Sequence, residues 1–262
     1  MRDLKYRTYF SLTRERGRRT AVTLACTVMM LAALPAPTVT AAECPSKPYR
    51  EIYDPGQPTN LGALKRRLLS YKCFGAHDRD IARVLASARR YVELRAARVR
   101  KPALVLDIDE TALSNWRQML ANDFGYIIEG ACDLQPHFAC GVNAWEKSAR
   151  AEAIKPTLDL FNAAKAKGVA IFFISGRADG DQERAATEKN LRGAGYEGWA
   201  GLMMKPRGMS GTSAADYKSA ERAKIEKLGY RIIANVGDQL SDLRGGHSER
   251  RFRVPNPFYF IP

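Results

Sequence analysis

Ala103-Leu104-Val105-Leu106-Asp107-Ile108-Asp109-Glu110-Thr111 sets four apolar residues directly against a run of acids and a hydroxyl. Apolar neighbours in succession fill both faces of an extended segment, which suits a strand buried inside a parallel sheet. Comparable runs recur at 169–174, 201–204, 232–236 and 252–254. Helical stretches lie between them. Residues 156–167 open on Pro156 at the first helical position and stop at Gly168, and residues 182–192 stop at Gly193. Residues 214–228 open on Ser213, with Asp216 three positions on, and stop at Gly229.

Strand and helix in alternation predict an α/β fold: a Rossmann-like three-layer core whose parallel sheet carries helices on both faces. Ligands of such sheets bind beyond the carboxyl ends of the strands. Polar residues collect there, as residues 107–111 after the first strand, Ser175-Gly176-Arg177 after the second, and Gly237-Asp238-Gln239-Leu240-Ser241-Asp242 after the fourth. A lone Asp-x-Asp means little, since turns and caps recruit aspartate freely. Three polar strand ends in this order, brought to one sheet edge, point to a site.

Residues 116–152 interrupt the alternation and carry Trp116, Phe124, Tyr126, Phe138 and Trp145. They read as a small helical cap, its aromatics serving either as packing or as a platform for a nucleotide or aryl group. Upstream, 43–60 is a Pro- and Gly-rich lead-in. Packing helices follow to about 100, with apolar stripes at Leu61, Leu64 and Leu68 and at Ile81, Val84, Leu85, Ala88, Tyr91 and Val92, broken near Gly75. Residues 101–262 form the expected catalytic core, with the cap inserted in it.

Residues 1–42 read as a signal peptide. A basic segment to Arg19 runs into the apolar stretch 21–34, Pro35 and Pro37 end it, and small residues offer cleavage after Ala41 or Ala42. An apolar run of fourteen residues is short of the ~20 that span a bilayer, so no stable membrane span is expected after processing. An uncleaved anchor, twin-arginine export at Arg18-Arg19 and lipidation of Cys26 are the alternatives. Seven basic residues and two acids leave with the leader, taking the formal charge from +14 to +9. Such a surface suits phosphorylated substrates or an anionic envelope, without implying specific nucleic-acid binding. Cys44, Cys73, Cys132 and Cys140 remain, an even set suggesting two disulfides in a secreted or periplasmic protein. The short loop from Cys132 to Cys140 favours local pairing and leaves Cys44 for Cys73. His77, His137 and His247 are scattered and read as surface or loop residues. The absence of Arg-His-Gly and Gly-x-Ser-x-Gly argues against histidine phosphatases and serine esterases.

Carboxylates converging at one edge repel each other and titrate upward unless a cation neutralises them. A hard ion with oxygen ligands meets that need, and Mg²⁺, which also takes a phosphate oxygen, suits phosphoryl transfer. The strand-end motifs resemble the first, second and fourth motifs of the haloacid dehalogenase (HAD) superfamily. Leu113-Ser114-Asn115, Tyr217-Lys218-Ser219, Gly229-Tyr230-Arg231-Ile232 and Pro255-Asn256-Pro257 resemble its class B and plant-type acid phosphatase branch, subfamily IIIB.

That resemblance, covering about 101–262, implies an acid phosphatase with an aspartyl-phosphate intermediate. Asp107 would be the nucleophile and Asp109 the general acid and base. Mg²⁺ would lie on Asp107, the Asp109 carbonyl, Asp238 and Asp242. Ser175 and the Gly176 amide, near a helix start, would hold phosphate oxygens. Lys218 would add positive charge, Lys205 being the rival for that role, while Asp242 could merely cap a helix and Arg177 could meet either substrate or a surface acid. A small phosphorylated substrate is expected (nucleotide, sugar or aryl phosphate), and the oligomeric state is left open. A 5′-nucleotidase of the same fold, or a non-catalytic storage or binding protein, are the alternatives.

Overall fold

The computed structural model describes residues 44–49, 58–134, 139–209 and 211–261. The leader reading of 1–42, Phe138 and His137 lie outside them. Two helices come first, α1 (Leu61–Cys73) and α2 (Ala76–Ala96), separated by Gly75, whose φ of +72° suits glycine. The expected break is where the sequence places it. Then follow β1 (Pro102–Leu106), β2 (Leu113–Ser114), α3 (Trp116–Ala121), α4 (Val142–Ser148), β3 (Glu152–Ala153), α5 (Lys155–Ala166), β4 (Ala170–Asp179) and α6 (Asp181–Gly193). The remaining elements are β5 (Gly201–Pro206), α7 (Ala214–Lys227), β6 (Arg231–Gly237), α8 (Leu240–Leu243) and β7 (Arg250–Arg253).

Five strands form one sheet in the order β5-β4-β1-β6-β7, every neighbouring pair parallel. The double-sided apolar strands do what their pattern requires. Leu104, Leu106, Ile171, Phe173 and Ile233 enter one core cluster with Leu85, Phe161 and Leu191 from α2, α5 and α6. Ala103, Val105, Phe172, Ile174 and Ile232 enter a second with Tyr217 and Ile225 from α7. Side chains alternate across the sheet with period two, so β1, β4 and β6 feed both layers.

Strand order turns at β1, which has β4 on one side and β6 on the other. A crevice therefore opens at the carboxyl ends of β1 and β6, where the chain winds in opposite directions. Asp107 directly follows β1 and Asp238 directly follows β6.

Three expectations need correction. β4 does not stop at Ile174: past an irregularity between Ser175 and Ala178 it pairs again, Ala178 with Lys205 and Asp179 with Pro206. Gly176 consequently lies on an exposed, extended stretch rather than near a helix start, since α6 begins only at Asp181. His77 is a buried residue of α2, its Nε2 3.0 Å from the Pro255 carbonyl oxygen, because α2 packs against the 254–258 segment. His247 is exposed and lies 2.7 Å from Glu226.

The antiparallel pair β2–β3 brackets residues 115–151, which include α3 and α4. Asn122 ties this insert together, accepting from the Cys140 amide at 2.7 Å and donating to its carbonyl at 2.9 Å. Disulfides join Cys44 to Cys73 and Cys132 to Cys140, the pairing their spacing suggests. No helix among the described residues is long and apolar enough to cross a membrane.

Candidate active site

Beyond β1 the chain folds into a single tight loop, where the amides of Thr111, Ala112 and Leu113 all donate to the Ile108 carbonyl. Glu110 takes a left-handed φ of +53° to allow it. Neighbouring elements lock the loop. Thr157 Oγ1 donates to the Thr111 carbonyl at 2.5 Å, and Tyr196 OH donates to that of Ala112 at 2.9 Å. Asp107 is thereby held at the sheet edge, and its own amide donates to Val236 of β6 at 3.0 Å.

Asp107, Asp238 and Asp242 converge there, each offering an oxygen within 4.8 Å of the others. All three are buried. Lys218, also buried, donates to Asp107 Oδ1 and to Asp242 Oδ1, at 2.5 Å in each case. Lys205 is bound elsewhere, donating to the Thr212 carbonyl at 3.1 Å. Asp242 has a double role, since its Oδ2 also accepts from the Gln239 amide at 2.8 Å and caps the four-residue α8. A Cβ on Gly237 would collide with the Asp242 side chain, so the close approach of strand and loop requires glycine. Asp238 accepts from Thr111 Oγ1 at 3.1 Å, and from Gln239 Nε2 and Asn256 Nδ2 at 2.7 Å each.

Burial, reinforced by Asp242, pushes Asp107 well above the ordinary carboxylate range and also raises Asp238. Burial alone would lower the Lys218 pKa, but Asp107 and Asp242 hold it above the ordinary lysine value. Ionised, three carboxylates against one ammonium leave an excess of two negative charges in water-poor surroundings. Oxygen donors carrying that excess fit one hard divalent cation.

Asp109 points away from this cluster. Its carboxylate accepts two bonds from Arg177 Nη2 and Nε, at 2.6 and 3.0 Å, and one from Asn115 Nδ2 at 2.8 Å. Burial raises its pKa, yet the Arg177 guanidinium outweighs that and holds it below the ordinary value. Arg177, itself buried, pairs with Asp109, whose side chain is 23% exposed, and Glu146 of α4 lies 3.9 Å away. Burial and the nearby Asp109 lift Glu146 to about 7.

Ser175 is buried two residues beyond Phe173, the partner of Leu106, and its Oγ accepts from the Arg177 amide at 3.1 Å. Of the insert's aromatics, Trp145 is packing, donating from Nε1 to Asn115 Oδ1 at 2.7 Å, whereas Tyr126 is 77% exposed. Trp116 and Phe124 cluster with Phe258.

Two participants, one of them the partner of the strand-end residue Glu110, escape a strand-end reading. Glu110 is buried, accepts from Tyr259 OH at 2.9 Å, and is pushed up by burial to about 8. Asn256 and Tyr259 come from the 255–261 segment, whose Ile261 amide also donates to Gln239 Oε1 at 3.1 Å. The Pro255-Asn256-Pro257 wording was the available signal for them.

Residues 63–262 match the family model for the HAD superfamily, subfamily IIIB (Acid phosphatase). Similar proteins include the Stem 28 kDa glycoprotein of Glycine max, 37% identical over 164 residues, 62% of this chain and 61% of that protein. Acid phosphatase 1 of Solanum lycopersicum is 34% identical over 158 residues, 60% of this chain and 58% of its own. Vegetative storage protein 1 of Arabidopsis thaliana is 32% identical over 160 residues, 60% of this chain and 55% of its own. The matched region thus spans roughly three fifths of these relatives. Among solved structures, the class C acid phosphatase from Bacillus anthracis shares the fold, with a TM-score of 0.57 and 23% identity over 73% of this chain and 83% of that one.

Proposed function

Because the chain belongs to the HAD superfamily subfamily IIIB, the acid phosphatases, we propose that it hydrolyses small phosphomonoesters through an aspartyl-phosphate on Asp107. The observation that carries this reading is the buried grouping of Asp107, Asp238 and Asp242 around Lys218. Asp107, Asp238 and Asp242, with the Asp109 carbonyl, would hold Mg²⁺, which when bound neutralises the carboxylates and the charge on the transferring phosphoryl group.

A carboxylate oxygen of Asp107 attacks phosphorus as the bond to the leaving alkoxide breaks. Lys218 keeps that oxygen oriented and adds positive charge where the transition state gathers negative charge. Ser175 Oγ and the Gly176 amide hold the phosphoryl oxygens. Asp109 protonates the departing alkoxide, then takes a proton from the water that cleaves the aspartyl-phosphate. A phosphate dianion arriving beside Arg177 competes with Asp109 for the guanidinium. Such competition raises the Asp109 pKa and lets it take up the proton it must give.

Asp107→Asn removes the nucleophilic oxygen and is expected to abolish turnover of p-nitrophenyl phosphate. Wild-type rate in that variant would refute the assignment. A nucleoside monophosphate outcompeting simple aryl phosphates would instead favour the 5′-nucleotidase reading. The storage reading draws on the name of the Arabidopsis relative. Retention of Asp107, Asp109, Asp238 and Asp242 together weighs against it, and phosphate binding without release would support it.

We also propose export to an oxidising compartment, with residues 1–42 removed and residues 116–152 capping the core. Two disulfides support the compartment.

A further inference from the structure

Lys218 and Arg222 lie four residues apart on α7, hence on one face of it. Both reach the segment after β6, and they take opposite ends of one residue. Lys218 binds the Asp242 carboxylate, while Arg222 Nη1 donates to the Asp242 main-chain carbonyl at 2.7 Å. Arg222 Nε donates to the Gly246 carbonyl at 3.0 Å, and Nη2 donates to that of Arg244. The side chain is completely buried. Among the described residues its hydrogen bonds go only to main-chain carbonyls, although a buried guanidinium ordinarily needs a carboxylate to offset its lost hydration. Burial lowers its pKa to about 10.

Helix α8 explains what the guanidinium does there. Four residues are too few to satisfy their own carbonyls, so donors must come from outside. Arg222 supplies one to the Asp242 carbonyl, and Asn235 Nδ2 of β6 adds a second bond to it at 2.9 Å. A chain anchored this way has little freedom to move its carboxylate toward or away from Asp107 and Asp238.

We infer that Arg222 is a positioning residue for the cation site, fixing the main chain at Asp242 and thereby the place of its carboxylate beside Asp107 and Asp238. This inference rests on the metal reading proposed above. Outer partners that orient a ligand typically account for about 10- to 100-fold in metal affinity.

Calorimetric titration of Mg²⁺ into the metal-stripped full chain tests it, comparing wild type with Arg222→Lys, which keeps the charge but loses the three-carbonyl grip. The expected result is an affinity about 10- to 100-fold weaker, with KM for p-nitrophenyl phosphate at saturating Mg²⁺ little changed. Unchanged affinity, with only the melting temperature lowered, would make Arg222 a structural staple and overturn the inference. Asn235→Ala removes the other donor to the same carbonyl and carries the test if Arg222→Lys does not fold. Weakened affinity in it supports the anchoring of Asp242, and wild-type affinity overturns it. Failure of the wild type to bind Mg²⁺ would sink the metal reading and this inference with it, whereas equal affinities sink the inference alone.

Discussion

Replacing Lys218 with methionine keeps most of the side-chain volume and removes the one ammonium that spans Asp107 and Asp242. Each contact is 2.5 Å long, so at an effective dielectric near 20 its gross Coulomb energy is about 7 kcal/mol. Stripping water from three groups that are each at least 93% buried consumes much of that. Removing one partner of such a buried pair costs about 3–5 kcal/mol net, less than the 5–15 kcal/mol typical of a whole domain. Lys218→Met should therefore fold, with its melting temperature lowered by roughly 6–20 °C. Catalysis should suffer more, because losing one preorganised donor from a charge-stabilising site costs about 10²–10³ in kcat. Excess negative charge in the pit rises from two to three, so Mg²⁺ should restore more melting temperature in the variant than in wild type. Stopped assays with p-nitrophenyl phosphate and calorimetric melts with and without Mg²⁺ measure both effects. A folded Lys218→Met protein with kcat within about threefold of wild type, far less than the loss expected for such a donor, would refute the role given to this lysine.

Metal removal should carry a pH signature. Asp107 and Asp238 have raised pKa values without a cation, so the stability they contribute is present below the unfolded value of about 3.9 and is lost as pH rises above it. The gain in melting temperature on adding Mg²⁺ to chelated protein should grow from about pH 4 upward, and a pH-independent gain would contradict this. Arg177→Met frees Asp109 from the guanidinium that depresses its pKa. The descending limb of kcat/KM should then move upward by about one to three pH units; a limb that stays put removes Asp109 as the titrating acid. Glu249 accepts from Arg95, Arg231 and Tyr91, and Arg95 foremost holds it down at about 2. Its contribution is present above about pH 4.3 and is lost as pH falls through about 2. Glu249→Gln should thus lower the melting temperature at pH 6 and lose that deficit near pH 2; an equal deficit at both would exclude the ion pairs as its cause.

How much of this was legible depended on whether one physical requirement dominated a residue. Strands β1 and β6 and the first half of β4 were readable because burial on both faces admits only apolar residues, and the edge strand β5, where Met204 alone is buried, still shows its apolar run at 201–204. β7 reads less well: its only buried residue is Phe252, and the strand starts two residues before the apolar run expected at 252. The far half of β4 looks like a loop because Ser175-Gly176-Arg177 is polar, yet the Arg177 guanidinium is satisfied by Asp109, 68 positions away, and Ser175 Oγ by the Arg177 amide. Strands β2 and β3 hold two residues each, too few for any periodicity to register. Asp107, Asp238 and Asp242 could be gathered on paper from strand ends and topology. Lys218 could not be separated from Lys205 by that route, because the choice depends on which face of α7 turns inward. Arg177 and Arg222 carry charges whose sequence signature is that of surface residues, and only tertiary packing buries them.

Asn256 and Tyr259 reach back to Asp238 and Glu110, spanning 18 and 149 positions of chain. Ile261 latches onto Gln239 from the same segment. During synthesis, a ribosome releases residues 107–111 long before that stretch appears. Until it does, Asp238 lacks one of its donors and the Glu110 carboxyl lacks its phenol. A nascent chain therefore stays chemically unfinished over most of its emergence, and truncation or a fusion joined near 256–261 should act on the reaction centre rather than on a dispensable tail.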